Sequence, residues 1–219
     1  MEIASRTSCM KQLIWMIFLW TFSQAQAANS PIKVLMVVNE GYRPEEYFEP
    51  REAFDHAGFE VKIAGNNGES LHPSRAHIRE VAPLKVDFTF DRVFVKDYDA
   101  VVFVGGNGAW NDFLPNTYVH KILLESVRTG KITALICAAT GLLATANNLS
   151  GESPQFKDRH VTGYSEVEGL LKRLGQLNYE RGIQGKPLVI SDGNLITGKD
   201  PSSAKIFGAT IVSALRRSR

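Results

Sequence analysis

Cysteine is scarce in this chain of 219 residues, which holds two, Cys9 and Cys137. A framework of several disulfides, common in exported domains, is therefore excluded. Histidine is sparse too: the five, His56, His72, His77, His120 and His160, form no metal-ligand cluster, and solvated or capping roles fit each. No metal is expected, and nothing in the sequence calls for an organic cofactor. Neither sign of charge dominates, with 25 Lys and Arg against 23 Asp and Glu. Without a basic run, or basic residues interleaved with aromatic ones, nucleic-acid binding is not expected. Repeats and low-complexity stretches are absent, and 44% hydrophobic residues is ordinary for one globular domain with an ample core.

The one long apolar run stands at the start. Arg6 and Lys11 precede it, it extends from Leu13 to Phe22, and Ala25-Gln26-Ala27 follows. A positive region, a short apolar core and a small-x-small site in that order read as a secretory signal peptide, residues 1–27, cleaved after Ala27. The run falls short of the about 20 residues a membrane span needs, so no stable membrane insertion is expected after processing. The remaining domain, residues 28–219, is then periplasmic or secreted. It loses Cys9 and keeps Cys137 alone. A lone thiol in an oxidising compartment is either inert through burial or kept for its chemistry.

Along residues 28–219 the pattern alternates between strand and helix. Ile32–Val38 is apolar on both faces, as a central parallel strand requires. Pro44 opens a helix that Gly58 closes, and Phe59–Ala64 is a second strand. Gly65–Pro83 reads as a polar surface excursion, and Leu84–Phe90 as an added strand near the sheet edge. Asp99–Val104 is a buried strand ended by Gly105-Gly106, Asn116–Arg128 a helix stopped by Gly130, and Lys131–Ile136 the next strand. After a polar loop, Asn147–His160, the Asp192-Gly193-Asn194 turn marks a hairpin, and a last helix spans about Ser202–Leu215. This is the βαβ alternation of a doubly wound parallel α/β sheet.

Ligands of such sheets sit at the carboxyl ends of the strands. Cys137 lies there, between the apolar run Lys131–Ile136 and the helix-like stretch Ala138–Ala146. A strand that turns abruptly into a helix forms a nucleophile elbow, whose first amides favour a thiolate and predict an acidic thiol. A small cysteine that merely packs is the commoner fate of this residue type. Gly105-Gly106 ends the preceding strand. Paired glycines bring the backbone close to a ligand, so the N–H groups of Gly106 and Ala138 are candidates for an oxyanion hole, although an ordinary strand-end turn also uses such a pair. Glu46 falls four residues before Pro50 and eight before Phe54, on the inward helical face, where a carboxyl would keep its proton and donate a hydrogen bond to a thiolate. Glu45 beside it suits the helix dipole. Trp110 follows the glycines and could wall a pocket or simply pack.

Together Val104-Gly105-Gly106-Asn107, Ala134-Leu-Ile-Cys137-Ala138, Gly198-Lys-Asp-Pro201-Ser-Ser203 and Glu46 with Pro50 resemble the ThiJ/PfpI family, from about Ile32 to Leu215. That family contains the human parkinsonism-associated protein, PfpI peptidase-like proteins and bacterial glyoxalase III-type chaperones. The resemblance implies a flavodoxin-like sandwich of the class I glutamine amidotransferase type, often a homodimer. It also implies a reactive cysteine at Cys137, in strained backbone, bonded to a protonated Glu46. Implied activities are glyoxalase, deglycase, amidase or peptidase, and redox-sensitive stress protection.

Two positions depart from the family pattern. Several peptidase and glyoxalase branches carry a histidine where this chain has Ala138, and the parkinsonism branch carries one near the pocket where it has Tyr164. Without an imidazole next to the thiol no conventional Cys-His pair exists, which weakens the peptidase reading most. Three readings stay open. One is an exported, cofactor-free cysteine enzyme acting on small reactive carbonyls or their adducts. The second is a protective protein whose Cys137 is oxidised. The third is a ligand-binding relic of the fold.

Overall fold

The computed structural model describes residues 30–74, 81–149 and 155–219. The segment 1–27 read from sequence as a signal peptide, the expected cleavage point after it, and His77 lie outside the described residues. In chain order the elements are β1 (Lys33–Val37), α1 (Pro44–His56), β2 (Glu60–Gly65), the short β3 (Ser70–Leu71), β4 (Leu84–Lys85) and β5 (Phe88–Thr89), then β6 (Ala100–Phe103), α2 (Thr117–Arg128), β7 (Ile132–Ile136) and α3 (Leu142–Leu149). The chain continues with β8 (His160–Val161), α4 (Glu168–Arg173), β9 (Asn178–Tyr179), β10 (Val189–Asp192), β11 (Leu195–Gly198) and α5 (Ala204–Arg217).

Among the described residues one seven-stranded sheet runs β10-β11-β7-β6-β1-β2-β5, parallel except for β10. The wholly apolar runs take its centre: β6 is buried along its length, and so is β7, even at Thr133. Such two-sided burial is the reason these strands show no alternation. Their register sets the active edge. Val37 stands opposite Phe103, Phe103 opposite Leu135, and Ile136 opposite Gly198. The strands therefore finish level, and the residues after them, around Glu40, Gly105, Cys137 and Lys199, arrive at one rim.

Helices complete the sandwich. α1 starts at Pro44, where the missing N–H has no helical partner to lose, and Gly58 at φ +76° ends its turn. It buries Glu46, Tyr47, Pro50 and Phe54. α5 crosses α1 closely because Gly208 is bare; a Cβ there would stand 2.7 Å from Cα of Pro50. Phe207, Ile211 and Leu215 of α5 are buried, and α2 packs with α3 over β6 and β7. No described helix is long and apolar enough to cross a membrane.

Two expectations change. The single strand anticipated over Leu84–Phe90 is broken: Leu84–Lys85 pairs antiparallel with β3, Phe88–Thr89 joins the main sheet beside β2, and Phe90–Arg92 is a 3-10 turn. Asp87 makes the crossover. Its N–H donates to Ile63 O and its carboxylate accepts from Ile63 N–H, both at 2.9 Å, which pulls the chain from the small hairpin onto the sheet edge. The polar excursion before it is also less superficial than its composition suggests, since Leu71 is fully buried.

Candidate active site

β7 delivers Cys137 into the left-handed region at φ +59°, a conformation rare for a residue with a Cβ. Strain of this kind costs on the order of 1–3 kcal/mol and persists only when the surroundings impose it. Here they do. The Cys137 carbonyl accepts from the Thr140 hydroxyl at 2.7 Å and from Tyr164 N–H at 3.3 Å, and Gly163 has no side chain to displace Thr140. That clamp winds Cys137–Gly141 as a tight 3-10 turn, so regular helix begins at Leu142 rather than at Ala138. The elbow itself forms as anticipated.

Glu46 reaches the elbow from α1 and is fully buried. A Cβ on Gly105 would overlap Glu46 Oε2, stand 2.6 Å from Ile136 O and 2.8 Å from Cys137 Cβ. The acid and the cysteine thus face each other across a bare glycine. Burial pushes the Glu46 carboxyl up to about 8, against smaller downward pulls from the thiol and from Arg43. Neither carboxyl oxygen has a hydrogen bond of regular geometry, so its contact with the thiol is close but poorly aligned.

The acidic thiol expected from the elbow needs correction. Burial pushes the Cys137 thiol up, and an ionised Glu46 pushes it further; the Ala138 N–H, directed at the sulfur, pulls the other way. With 6% of Cys137 exposed, desolvation outweighs one amide.

The other candidates fall around this pair. Gly106 adopts φ +121°, and a Cβ there would stand 2.6 Å from both Arg43 N and Gly41 O. Among the described residues the Gly106 N–H donates to no backbone carbonyl. Tyr164 joins the group through its amide, while its hydroxyl lies 3.5 Å from Glu166. Partial burial raises its phenol first, the charges of Glu166 and Cys137 next. Trp110 sits in the turn Ala109–Phe113, 37% exposed, and its ring makes no described contact with the cysteine. Sequence reasoning gave no role to Asn39, Arg43 and Asp200. Asn39 is fully buried and donates to Val104 O at 2.8 Å and Gly105 O at 3.2 Å, which fixes the glycine doublet. The charges of Arg43 and Asp200 both bear on Glu46.

None of the described histidines pairs with the thiol. His72 pairs with Glu40 and His160 with Glu180, both at 3.1 Å. His120, expected to be solvated or to cap, is buried with Nε2 2.9 Å from Leu114 O, and burial lowers its pKa. No group of three possible metal ligands occurs among the described residues. Clefts of about 500 Å³ and 540 Å³ open elsewhere, at the Asp192–Asn194 turn and between α1 and α5. Strain, a buried acid and bare glycines converge instead on Cys137, and these mark the candidate site.

The DJ-1/PfpI family model matches residues 32–214. An uncharacterised protein of Methanocaldococcus jannaschii is 31% identical over 189 residues, 84% of this chain and 83% of its own. Protein dj-1beta of Drosophila melanogaster is 29% identical over 186 residues, 83% of this chain and 88% of its own. Its crystal structure superposes with a TM-score of 0.70 at 26% identity, covering 85% of this chain and 91% of that one. A Schizosaccharomyces pombe protein named as a putative glutathione-independent glyoxalase is 26% identical over 215 residues, 81% of this chain and 85% of its own. The parallel sheet between helical layers is the flavodoxin-like fold of the class I glutamine amidotransferase type. On the match of residues 32–214, the chain belongs to the DJ-1/PfpI family.

Proposed function

We propose that this chain is an exported cysteine-dependent enzyme that converts small reactive carbonyls, as a glutathione-independent glyoxalase does. The observation that carries this reading is the fully buried Glu46, which holds its proton to about pH 8 beside a thiol on a strained elbow. Export rests on the residue 1–27 pattern. The low exposure of Cys137 favours small substrates over peptides, and Ala138 offers no imidazole to protonate an amine leaving group.

The chemistry follows from these groups. The Cys137 thiolate adds to the aldehyde carbon, C1, of a 2-oxoaldehyde, and Glu46 gives its proton to the new C1 oxygen. The Gly106 and Ala138 amides steady that oxygen as charge develops on it. Glu46, now a carboxylate, removes the hydrogen from C1; the electron pair forms a C1–C2 double bond and the charge passes to the C2 oxygen. Returning the proton to C2, while the C1 hydroxyl proton passes to the C2 oxygen, leaves a thioester. Water cleaves it to a 2-hydroxy acid and restores the thiol. One carbon is oxidised and its neighbour reduced, so no external oxidant or reductant is consumed.

A second reading, a stress protein whose Cys137 is oxidised, draws on the same donors, since the Ala138 N–H and a protonated Glu46 would also hold a sulfinate. Incubation of the purified protein with methylglyoxal, without added thiol, separates the two. Catalytic formation of lactate supports the enzyme. Absence of turnover, with stoichiometric peroxide oxidation of Cys137 by mass spectrometry, selects the second reading.

A further inference from the structure

We propose that Arg43 is a catalytic residue of this site, its guanidinium holding the second oxygen of a vicinal dicarbonyl while Glu46 moves the proton between the two carbons. The inference rests on the carbonyl-converting reading above and supplies the group that meets the charge this reaction creates.

Arg43 is locked to the site from both sides of its backbone. Its N–H donates to Gly105 O at 3.1 Å, and its carbonyl accepts from Glu46 N–H at 3.1 Å. Its nitrogen lies 2.6 Å from where a Cβ of Gly106 would stand, so residue 43 rests on the glycine doublet beside the sulfur. The side chain is 36% exposed, neither sunk in the core nor free in solvent, and Nε pairs with Glu45 at 3.1 Å. A half-exposed ion pair of this kind contributes only about 0–1 kcal/mol to stability, which gives little structural reason for an arginine here. Its charge bears on two groups flanking Cys137, the Glu46 carboxyl and the Tyr164 hydroxyl.

The other charges near Glu46 do not serve this purpose. Glu45 and Asp200 are anions that disfavour a second negative charge. Lys199 is occupied: its ammonium pairs with Asp200 at 3.3 Å and donates to the Ile183 carbonyl at 2.7 Å and to the Lys186 carbonyl. When C1 loses its hydrogen the negative charge appears on the C2 oxygen, one carbon farther from the sulfur than the oxygen that the Gly106 and Ala138 amides serve. The backbone of Arg43 borders Gly106, which puts its side chain on the same rim. A planar guanidinium suits the task, because it offers several donors while keeping one for Glu45.

The test is steady-state kinetics with methylglyoxal for wild type, Arg43→Gln and Arg43→Lys, each with a pH profile and a thermal midpoint. Arg43→Gln is expected to lower kcat on the order of 100-fold, the loss seen when one oxyanion donor is removed, with little change in KM. Arg43→Lys recovers about tenfold of that, since it restores charge without the fork. The apparent pKa of Glu46 in the profile moves up in Arg43→Gln, because a cation that pulls it down is gone. A kcat for Arg43→Gln within about threefold of an active wild type overturns the role of Arg43 alone. So does an equal loss in both variants accompanied by a fall in thermal midpoint, which marks a structural role. A wild type with no turnover removes the carbonyl-converting reading and the role of Arg43 with it.

Discussion

The carboxyl of Glu46 and the sulfur of Cys137 face each other across the bare Cα of Gly105. Both groups are buried, so neither ionises readily and both cannot be charged together. The sulfur has the Ala138 N–H, whereas neither Glu46 oxygen has a donor of regular geometry. At neutral pH the pair therefore keeps both protons, a thiol beside a carboxylic acid, with the Glu46 carboxyl held up to about 8 and the thiol raised by its burial and by Glu46.

Gly105→Ala tests the closeness of the pair. The added methyl would meet Glu46 Oε2, the Ile136 carbonyl at 2.6 Å and Cys137 Cβ at 2.8 Å, and two of these neighbours belong to the strand end and the strained elbow. Overpacking of this kind costs roughly 1–3 kcal/mol. Urea unfolding should show that loss, and iodoacetamide should label Cys137 at an altered rate. Unchanged values in both would mean that the three groups do not converge on Gly105.

Glu46→Gln should reshape the pH dependence of stability. In the unfolded chain the carboxyl titrates near its ordinary 4.5, in the fold at about 8. Between those values the folded state holds a proton that the unfolded state has released. Stability is therefore full below about pH 4.5, falls by about 1.4 kcal/mol per pH unit as pH rises, and levels above about 8. The whole effect is on the order of 5 kcal/mol. The Gln variant lacks this slope, so it should gain on wild type from pH 5 to pH 8 in chemical denaturation. Parallel curves across that window would place an ionised Glu46 in the fold.

Thiol reactivity against pH reads the pair directly. In Glu46→Gln the side-chain amide still donates toward the sulfur, whereas Glu46→Leu removes donor and acid together and keeps the apolar surroundings. Alkylation by iodoacetamide should show a higher apparent thiol pKa in the Leu variant than in the Gln variant. The reverse order would mean that residue 46 does not favour the thiolate by donating a hydrogen bond to it.

Much of this site was legible because its signals are local. The switch from Lys131–Ile136 to small residues marks the elbow, Pro44 phases α1 so that Glu46, Pro50 and Phe54 turn inward, and Gly105-Gly106 ends its strand in plain view. What escaped is set by distant partners. The 3-10 turn after Cys137 depends on Thr140 lying against Gly163, and the break in Leu84–Phe90 depends on Asp87 finding Ile63. Arg43 reads in sequence as a residue before a helix, and Asn39 as a polar end to a strand; only packing places them on the glycines. The thiol shows the same limit. Helix amides can be anticipated from sequence, but the burial that outweighs them comes from packed layers.

Export is tested at the N-terminus. Ala25 and Ala27 supply the small positions after the apolar run, so the exported protein should begin at Ala28. Edman sequencing of protein recovered from outside the cytoplasm decides it. Retention of Met1 and the apolar run would show an uncleaved leader.

Cys137→Ser should abolish carbonyl conversion. Serine keeps the size of the side chain, and the elbow remains clamped by Thr140 and Tyr164, so the fold should persist. Its hydroxyl, however, needs a base, and residue 138 is alanine rather than histidine. Glu46 cannot substitute, since burial keeps it protonated to about pH 8, and a protonated acid takes no proton. The expected loss is at least about 1000-fold in kcat/KM for methylglyoxal, with far-UV circular dichroism unchanged. Peptide hydrolysis should be absent in both proteins, because the thiol site offers no imidazole to protonate an amine leaving group. Equal consumption by wild type and Cys137→Ser would remove the sulfur from the mechanism and leave ligand binding as the function of this rim.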